Sequence, residues 1–162
     1  MNQHLYRGVN LAQHRRDSGR LVPKLPGVPF EHVFRADGTI LADGSATYGQ
    51  SAQNAVLAHQ LDLRDRPDLH TSGISTTPHL ARALYYATRV RDGDAWRLTS
   101  GVIYVMDRTR LAALGIREFV VAETVFRLSV AVSDDEEVIL VAADCGELPA
   151  IAVVERVQVP AL

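Results

Sequence analysis

The run Gly101-Val102-Ile103-Tyr104-Val105-Met106 constrains the fold more than any other stretch of the chain. An almost unbroken series of apolar β-formers has no polar face to turn to water, so it predicts a central strand covered on both sides. Two segments have one apolar face at helical spacing and can lie on such a core. Gln50–Leu63 carries Ala52, Ala55, Val56 and His59 on one face. Pro78–Arg91 repeats Leu80, Ala83, Leu84 and Ala87, with Thr77 suited to the N-cap and Pro78 to the first helical position.

The remaining signals are mostly those of strands. Leu5-Tyr6-Arg7-Gly8-Val9 reads as a first strand, and alternation puts Leu5, Arg7 and Val9 on one face. Residues 10–50 read as a long irregular connection with one short helix near Leu11–Asp17, the kind of loop that often binds or covers a ligand. Asp-Gly turn signals at Asp37-Gly38 and Asp43-Gly44 flank Ile40-Leu41. A charged, proline-bearing stretch from Arg64 to Asp68 closes the first long helix. Asp107 can cap a short helix Arg108–Leu114, which Gly115 ends. Residues 119–132 are β-rich but interrupted, and read as one or two strands or as a strand and a short helix. Val138–Val141 and Ile151–Val159 supply late strands. Strands without regular βαβ alternation point to an α+β fold with mainly antiparallel sheet, formed by residues 1–162 as one domain.

A net charge of -2 gives no general pull toward nucleic acid or anionic membrane, so a nucleic-acid substrate would need a local basic patch. No apolar run reaches the ~18 residues of a membrane span. The first residues, Met1 to Arg7, lack the apolar region of a secretory signal. Cys145, the lone cysteine, allows no internal disulfide and suits a reducing compartment. These features predict a cytoplasmic protein, or one delivered into a target cell by a route that needs no signal. His4, His14, His32, His59, His70 and His79 show no metal-ligand spacing, so no metal is expected. His59, on its helix face, reads as structural. No phosphate-binding Gly-rich loop or nucleophile elbow is present.

Three strands carry polar residues that a core does not require. They are Arg7 in the first strand, Ser75-Thr76-Thr77 before the second long helix, and Asp135-Glu136-Glu137 before Val138-Ile139-Leu140. Arg7 shares a face with leucine and valine, which calls for a partner or a ligand. A strand end beside a helix start suits a phosphate-bearing ligand.

In this order and context the three motifs resemble the arginine–serine–glutamate, toxin-like class of mono-ADP-ribosyltransferases. That family has an aromatic-Arg-Gly first strand, a Ser-Thr-Ser-like strand leading into a helix, and Glu-x-Glu entering an apolar strand. The counterparts here are Tyr6-Arg7-Gly8, Ser75-Thr76-Thr77 with Ala83-Leu84-Tyr85-Tyr86-Ala87 downstream, and Asp135-Glu136-Glu137. Gly101–Asp107 looks like the family's strand between the second and third motifs. The fold implied is a pair of packed, roughly orthogonal antiparallel sheets flanked by helices, with NAD+ as substrate in the cleft between them.

The resemblance also implies roles. Cleaving NAD+ between nicotinamide and ribose builds positive charge on the sugar, and a fixed carboxylate stabilises it; Glu137 matches that position. Arg7, with Tyr6 and Gly8 beside it, would hold NAD+ by its phosphate and ribose region. Ser75 would orient Glu137, and Thr76 and Thr77 would shape the nicotinamide pocket. Tyr48, Phe34, Tyr85 and Tyr86 are candidates for the ring that stacks near nicotinamide. Asp135 departs from the family's usual Glu or Gln at the position that helps select and activate the target's nucleophile. The acceptor implied is a protein or nucleic acid. The family is rich in bacterial toxins and effectors, so an immunity or antitoxin partner is expected if the chain is a toxin. Two other readings stay open: an NAD+ glycohydrolase with water as acceptor, and a non-catalytic binding module on the same fold.

Overall fold

The computed structural model describes residues 2–31, 33–34, 40–41, 48–60, 70–124 and 135–161. In chain order these form β1 (His4–Asn10), α1 (Leu11–Arg16), β2 (Val33–Phe34), β3 (Ile40–Leu41), α2 (Tyr48–Gln60), β4 (Ile74–Thr76) and α3 (Leu80–Ala87). There follow β5 (Arg89–Asp92), β6 (Ala95–Leu98), β7 (Gly101–Asp107), α4 (Arg108–Ala113), β8 (Arg117–Val120), α5 (Val121–Thr124) and β9 (Val138–Val141). A 3-10 turn at Ala150–Ala152 leads into β10 (Val153–Val159).

The apolar run is the middle strand of an antiparallel sheet of order β1-β7-β10, and Gly101 through Met106 are all buried. A second antiparallel sheet has the order β4-β9-β8. The two meet where β1 passes the end of β4: the Tyr6 N–H donates to the Thr77 carbonyl at 2.8 Å, and the Thr77 N–H returns to the Tyr6 carbonyl at 2.9 Å.

Side-chain alternation then fixes the layers. Leu5, Val9, Tyr104 and Met106 pack inward with Ile74, Val138 and Leu140 of the second sheet. On the outer face of the first sheet, Ile103 meets Ala83 and Ala87 of α3. Across the molecule, Ile139, Val141 and Phe119 meet Ala52, Ala55 and Val56 of α2. Helix, sheet, sheet, helix is the α+β arrangement expected.

Seating α3 requires glycine. A Cβ on Gly8 would lie 1.7 Å from the Ala83 carbonyl oxygen, and one on Gly101 would lie 2.0 Å from that of Ala87. Neighbouring strands thus present two bare backbone positions, and the helix rests on them through alanines.

Several boundaries differ from expectation. The second long helix is Leu80–Ala87, not Pro78–Arg91, and its N-cap is His79. The Thr77 hydroxyl accepts the His79 N–H at 3.1 Å, so Thr77 restrains the link before the helix instead of capping it. Beyond Thr88, the chain turns into the β5–β6 hairpin, with Arg91 opposite Trp96. Gly93, at φ +61°, takes a turn conformation that ends any helical reading there. Ile40-Leu41 pairs with Val33-Phe34, which adds a small hairpin within the expected irregular connection. The interrupted stretch is a strand and a short helix as far as Thr124; residues 125–134 lie outside the described residues, as do 61–69 with the expected Arg64–Asp68 stop. The last strand starts at Val153, not Ile151. α1 and the Asp107-capped α4 form as read, the Asp107 carboxylate accepting the Arg110 N–H at 2.9 Å.

Candidate active site

All three polar motifs come to one cleft of about 980 Å³, at the upper end of the ~300–1,000 Å³ usual for small-molecule sites. β1 contributes Tyr6, Arg7 and Gly8, β4 and its exit contribute Ser75, Thr76 and Thr77, and the acidic segment contributes Asp135 and Glu137. Pairing explains the convergence. β1 is bridged to Thr77, while β9 pairs with β4 so that Thr76 faces Val138, which brings Glu137 to the strand end where Arg7 and Ser75 already lie.

Arg7 shares its face with buried Leu5 and Val9, as alternation requires. Its Nη1 donates to the Ser75 carbonyl at 2.7 Å. Burial pulls the guanidinium below its ordinary value, and the nearby Glu137 charge opposes that shift; arginine stays cationic throughout. One backbone bond leaves most of the donor fork for a ligand in the cleft.

Glu137 is held more completely. Burial pushes its carboxyl up, but hydrogen bonds from His59, Ser75 and Gln60, with the charge interaction of His59, outweigh burial and hold it below the ordinary 4.5. The His59 Nε2 lies 3.4 Å from Oε1 and the Gln60 amide donates to Oε2. This depressed value has a consequence for stability. Ionised Glu137 stabilises the fold above the ordinary carboxylate value, and the contribution disappears as pH falls through the lowered one. The stability difference between wild type and Glu137→Gln is therefore expected to narrow from about pH 7 to about pH 3. Equal differences at both ends, from denaturant unfolding, would show that Glu137 is not linked to folding.

The two threonines spend their hydroxyls on the acidic segment. Thr76 donates to the Val138 carbonyl at 2.6 Å and Thr77 to the Asp135 carbonyl at 2.5 Å. They line the cleft, yet their hydroxyls anchor backbone. Asp135 is likewise engaged: Arg82 Nε donates to Oδ1 at 2.6 Å and the Tyr86 hydroxyl to Oδ2 at 2.5 Å. Burial, with the Asp135 contact, raises Tyr86 to about 12. Glu136 adopts φ +43° and turns to His79, 3.1 Å away.

Of the aromatic candidates, Tyr86 lines the cleft with its hydroxyl committed to Asp135. Tyr85 packs edge-on to Trp96 at 6.3 Å, under the Arg89 guanidinium. The side chains of Phe34 and Tyr48 lie outside the described residues. Trp96, absent from the sequence candidates, is 55 % exposed and lines the cleft from β6. Its signal was the Asp-Gly turn between alternating residues at 89–98. Gln60, Thr71 and Arg82 carried no signal in the sequence, and His59, noted on the apolar face of α2, was read as structural although a polar side chain there was the signal.

A family model, NarE, matches residues 4–131. The chain belongs to the NarE family. NarE is an ADP-ribosyltransferase-like family, in keeping with a cleft built from Arg7 and Ser75, both inside the matched span. The match ends before Asp135 and Glu137, which join the cleft through the β4–β9 pairing. Searches of curated proteins and of solved structures found no match. Among the described residues no helix is long and apolar enough to cross a membrane, and no cluster of His, Cys, Asp and Glu is arranged for a metal ion.

Proposed function

We propose that this NarE-family chain is a mono-ADP-ribosyltransferase that cleaves NAD+ at the nicotinamide–ribose bond and passes ADP-ribose to a macromolecular acceptor, as a toxin or effector does. The observation that carries the reading is the ionised Glu137 carboxylate, fixed from two sides in the same cleft as the buried Arg7 guanidinium. In the reaction, the bond from ribose C1′ to the ring nitrogen breaks and nicotinamide leaves with the electron pair. Positive charge develops on C1′ and the ring oxygen, where Glu137 would stabilise it and hold the 2′-hydroxyl. The acceptor's lone pair then bonds to C1′ and the acceptor loses a proton. Arg7 would fix the diphosphate by its charged fork.

A second reading, NAD+ glycohydrolysis with water as acceptor, is favoured by one observation. Asp135 occupies the position expected to activate an acceptor, and Arg82 and Tyr86 hold both of its oxygens.

Nicotinamide release from NAD+ by purified protein, followed by transfer of labelled ADP-ribose into cell lysate, tests both readings. Arg7→Ala is expected to raise KM for NAD+ by about 10-fold or more, the worth of a charged hydrogen bond to phosphate, with a smaller change in kcat. A wild-type protein that neither releases nicotinamide nor binds NAD+ would overturn the reading.

A further inference from the structure

Nothing in its own strand orients the Glu137 side chain. The residue precedes β9, and its carbonyl accepts the Val121 N–H at 3.0 Å, which fixes backbone and leaves three side-chain torsions free. A freely rotating glutamate would lose most of its value to a preorganised site. The restraint comes from the last turn of α2, where two consecutive residues reach the carboxylate, Gln60 at Oε2 and His59 beside Oε1.

We infer that His59 is a positioning residue for Glu137, acting directly and through Ser75 to keep the carboxylate ionised and facing the cleft. The inference rests on the reading of Glu137 as the carboxylate that acts on the ribose. The imidazole is boxed in, its side chain 11 % exposed. Phe30 approaches edge-on at 6.3 Å, and a Cβ on Gly73 would lie 3.1 Å from Nδ1 and 2.5 Å from Ile139. The Nδ1 atom lies 2.6 Å from the Thr71 hydroxyl, which accepts the Gly73 N–H at 3.3 Å. The Glu137 carboxylate, 3.4 Å from Nε2, has no proton to give, so the neutral ring's proton is assigned to Nε2 and the Thr71 hydroxyl donates to Nδ1. Nε2 lies 2.8 Å from Ser75 Oγ, so its proton is donated there and the serine proton is free to go to Glu137. Every donor points the same way, from Thr71 to His59 to Ser75 to Glu137. This polarity also separates the group from a nucleophilic serine, since carboxylate and serine share one ring nitrogen instead of lying on opposite ones. The ionisable groups that bear on Glu137 are the His59 imidazole from α2 and the Arg7 guanidinium from β1.

The test reads Glu137 itself. Glutamate is labelled with 13C at the carboxyl, the Glu137 signal is assigned by its loss in Glu137→Gln, and its titration is followed by NMR in wild type, His59→Phe and His59→Gln. In His59→Phe the midpoint is expected to move up, because burial remains while donors are lost. Nicotinamide release should fall in kcat by about 10-fold to 100-fold, the range for residues that orient a catalytic group, with KM for NAD+ nearly unchanged. His59→Gln keeps an N–H donor and should recover part of both. Thr71→Val is nearly isosteric and distant from the carboxylate, and it should shift the midpoint in the same direction if the relay is real. That variant serves if His59→Phe does not fold. A Glu137 midpoint unchanged in the folded variants overturns the inference. A midpoint that moves in a protein whose wild type releases no nicotinamide upholds the coupling and overturns the proposed reaction instead.

Discussion

Replacing Glu137 by glutamine is expected to lower nicotinamide release from NAD+ by at least ~100-fold while the protein still folds. The substitution keeps size and hydrogen-bonding reach and removes the charge. What is lost is interaction with the cation that develops on ribose, and removing one preorganised electrostatic contact of this kind costs about 10²–10³ in kcat. NAD+ binding should change less, because the ground-state ribose has no positive charge for the carboxylate to meet. The core does not depend on Glu137: β9 is buried through Val138, Ile139, Leu140 and Val141, and the segment's backbone is held by Thr76 and Thr77. Cooperative thermal unfolding, with only the loss of stability that the missing charge accounts for, together with lost turnover, is the combined result that identifies a catalytic residue. Glu137→Ala gives a second check, and a variant of either kind that no longer folds would reassign Glu137 to structure.

Gly8→Ala should have the largest effect on stability. The added methyl would sit 1.7 Å from the Ala83 carbonyl oxygen and 2.8 Å from the Ala87 nitrogen. Both obstacles are helix backbone, so no rotamer change relieves the overlap and α3 must lift off β1. Overpacking of a core costs about 1–3 kcal/mol and more where backbone must move. A loss above ~3 kcal/mol, or about 6–12 °C in Tm for a chain of this size, is expected. Because α3 also carries Arg82 and Tyr86 to Asp135, its displacement should disturb the cleft as well. The resemblance assigned Gly8 to NAD+ binding, and the two roles give opposite results. A Gly8→Ala protein with normal Tm and a raised KM for NAD+ would make the glycine a ligand contact and not a seat for the helix.

Much of this architecture was legible one segment at a time. The doubly covered β7, the Asp107-capped α4, the short α1 after Asn10 and the alternation that sets Arg7 beside Leu5 and Val9 all follow from signals only a few residues long: hydrophobic period, cap chemistry and a turn. The same locality explains the errors. Leu80 to Ala87 repeat with helical period, and nothing at that range shows that the next residues pair with a strand instead of extending the helix. The β5–β6 hairpin needed its Asp-Gly turn weighed together with the alternation on both sides.

The polar partnerships were beyond such reasoning. Gln60 and Glu137 are separated by 77 positions, Arg82 and Asp135 by 53, and which side chains meet across such distances depends on how two sheets and two helices stack. Legible in the chain alone were the α+β class, the first strand that carries Arg7, the Ser75 strand and the acidic lead-in to β9 with Glu137, and the apolar face of α2 that includes His59. The stacking of sheets and helices is what sets His59 and Gln60 on Glu137, Arg82 and Tyr86 on Asp135, and the Thr76 and Thr77 hydroxyls on backbone. Periodicity and capping are properties of neighbouring residues, whereas a buried polar group takes whichever partner packing brings within about 3 Å.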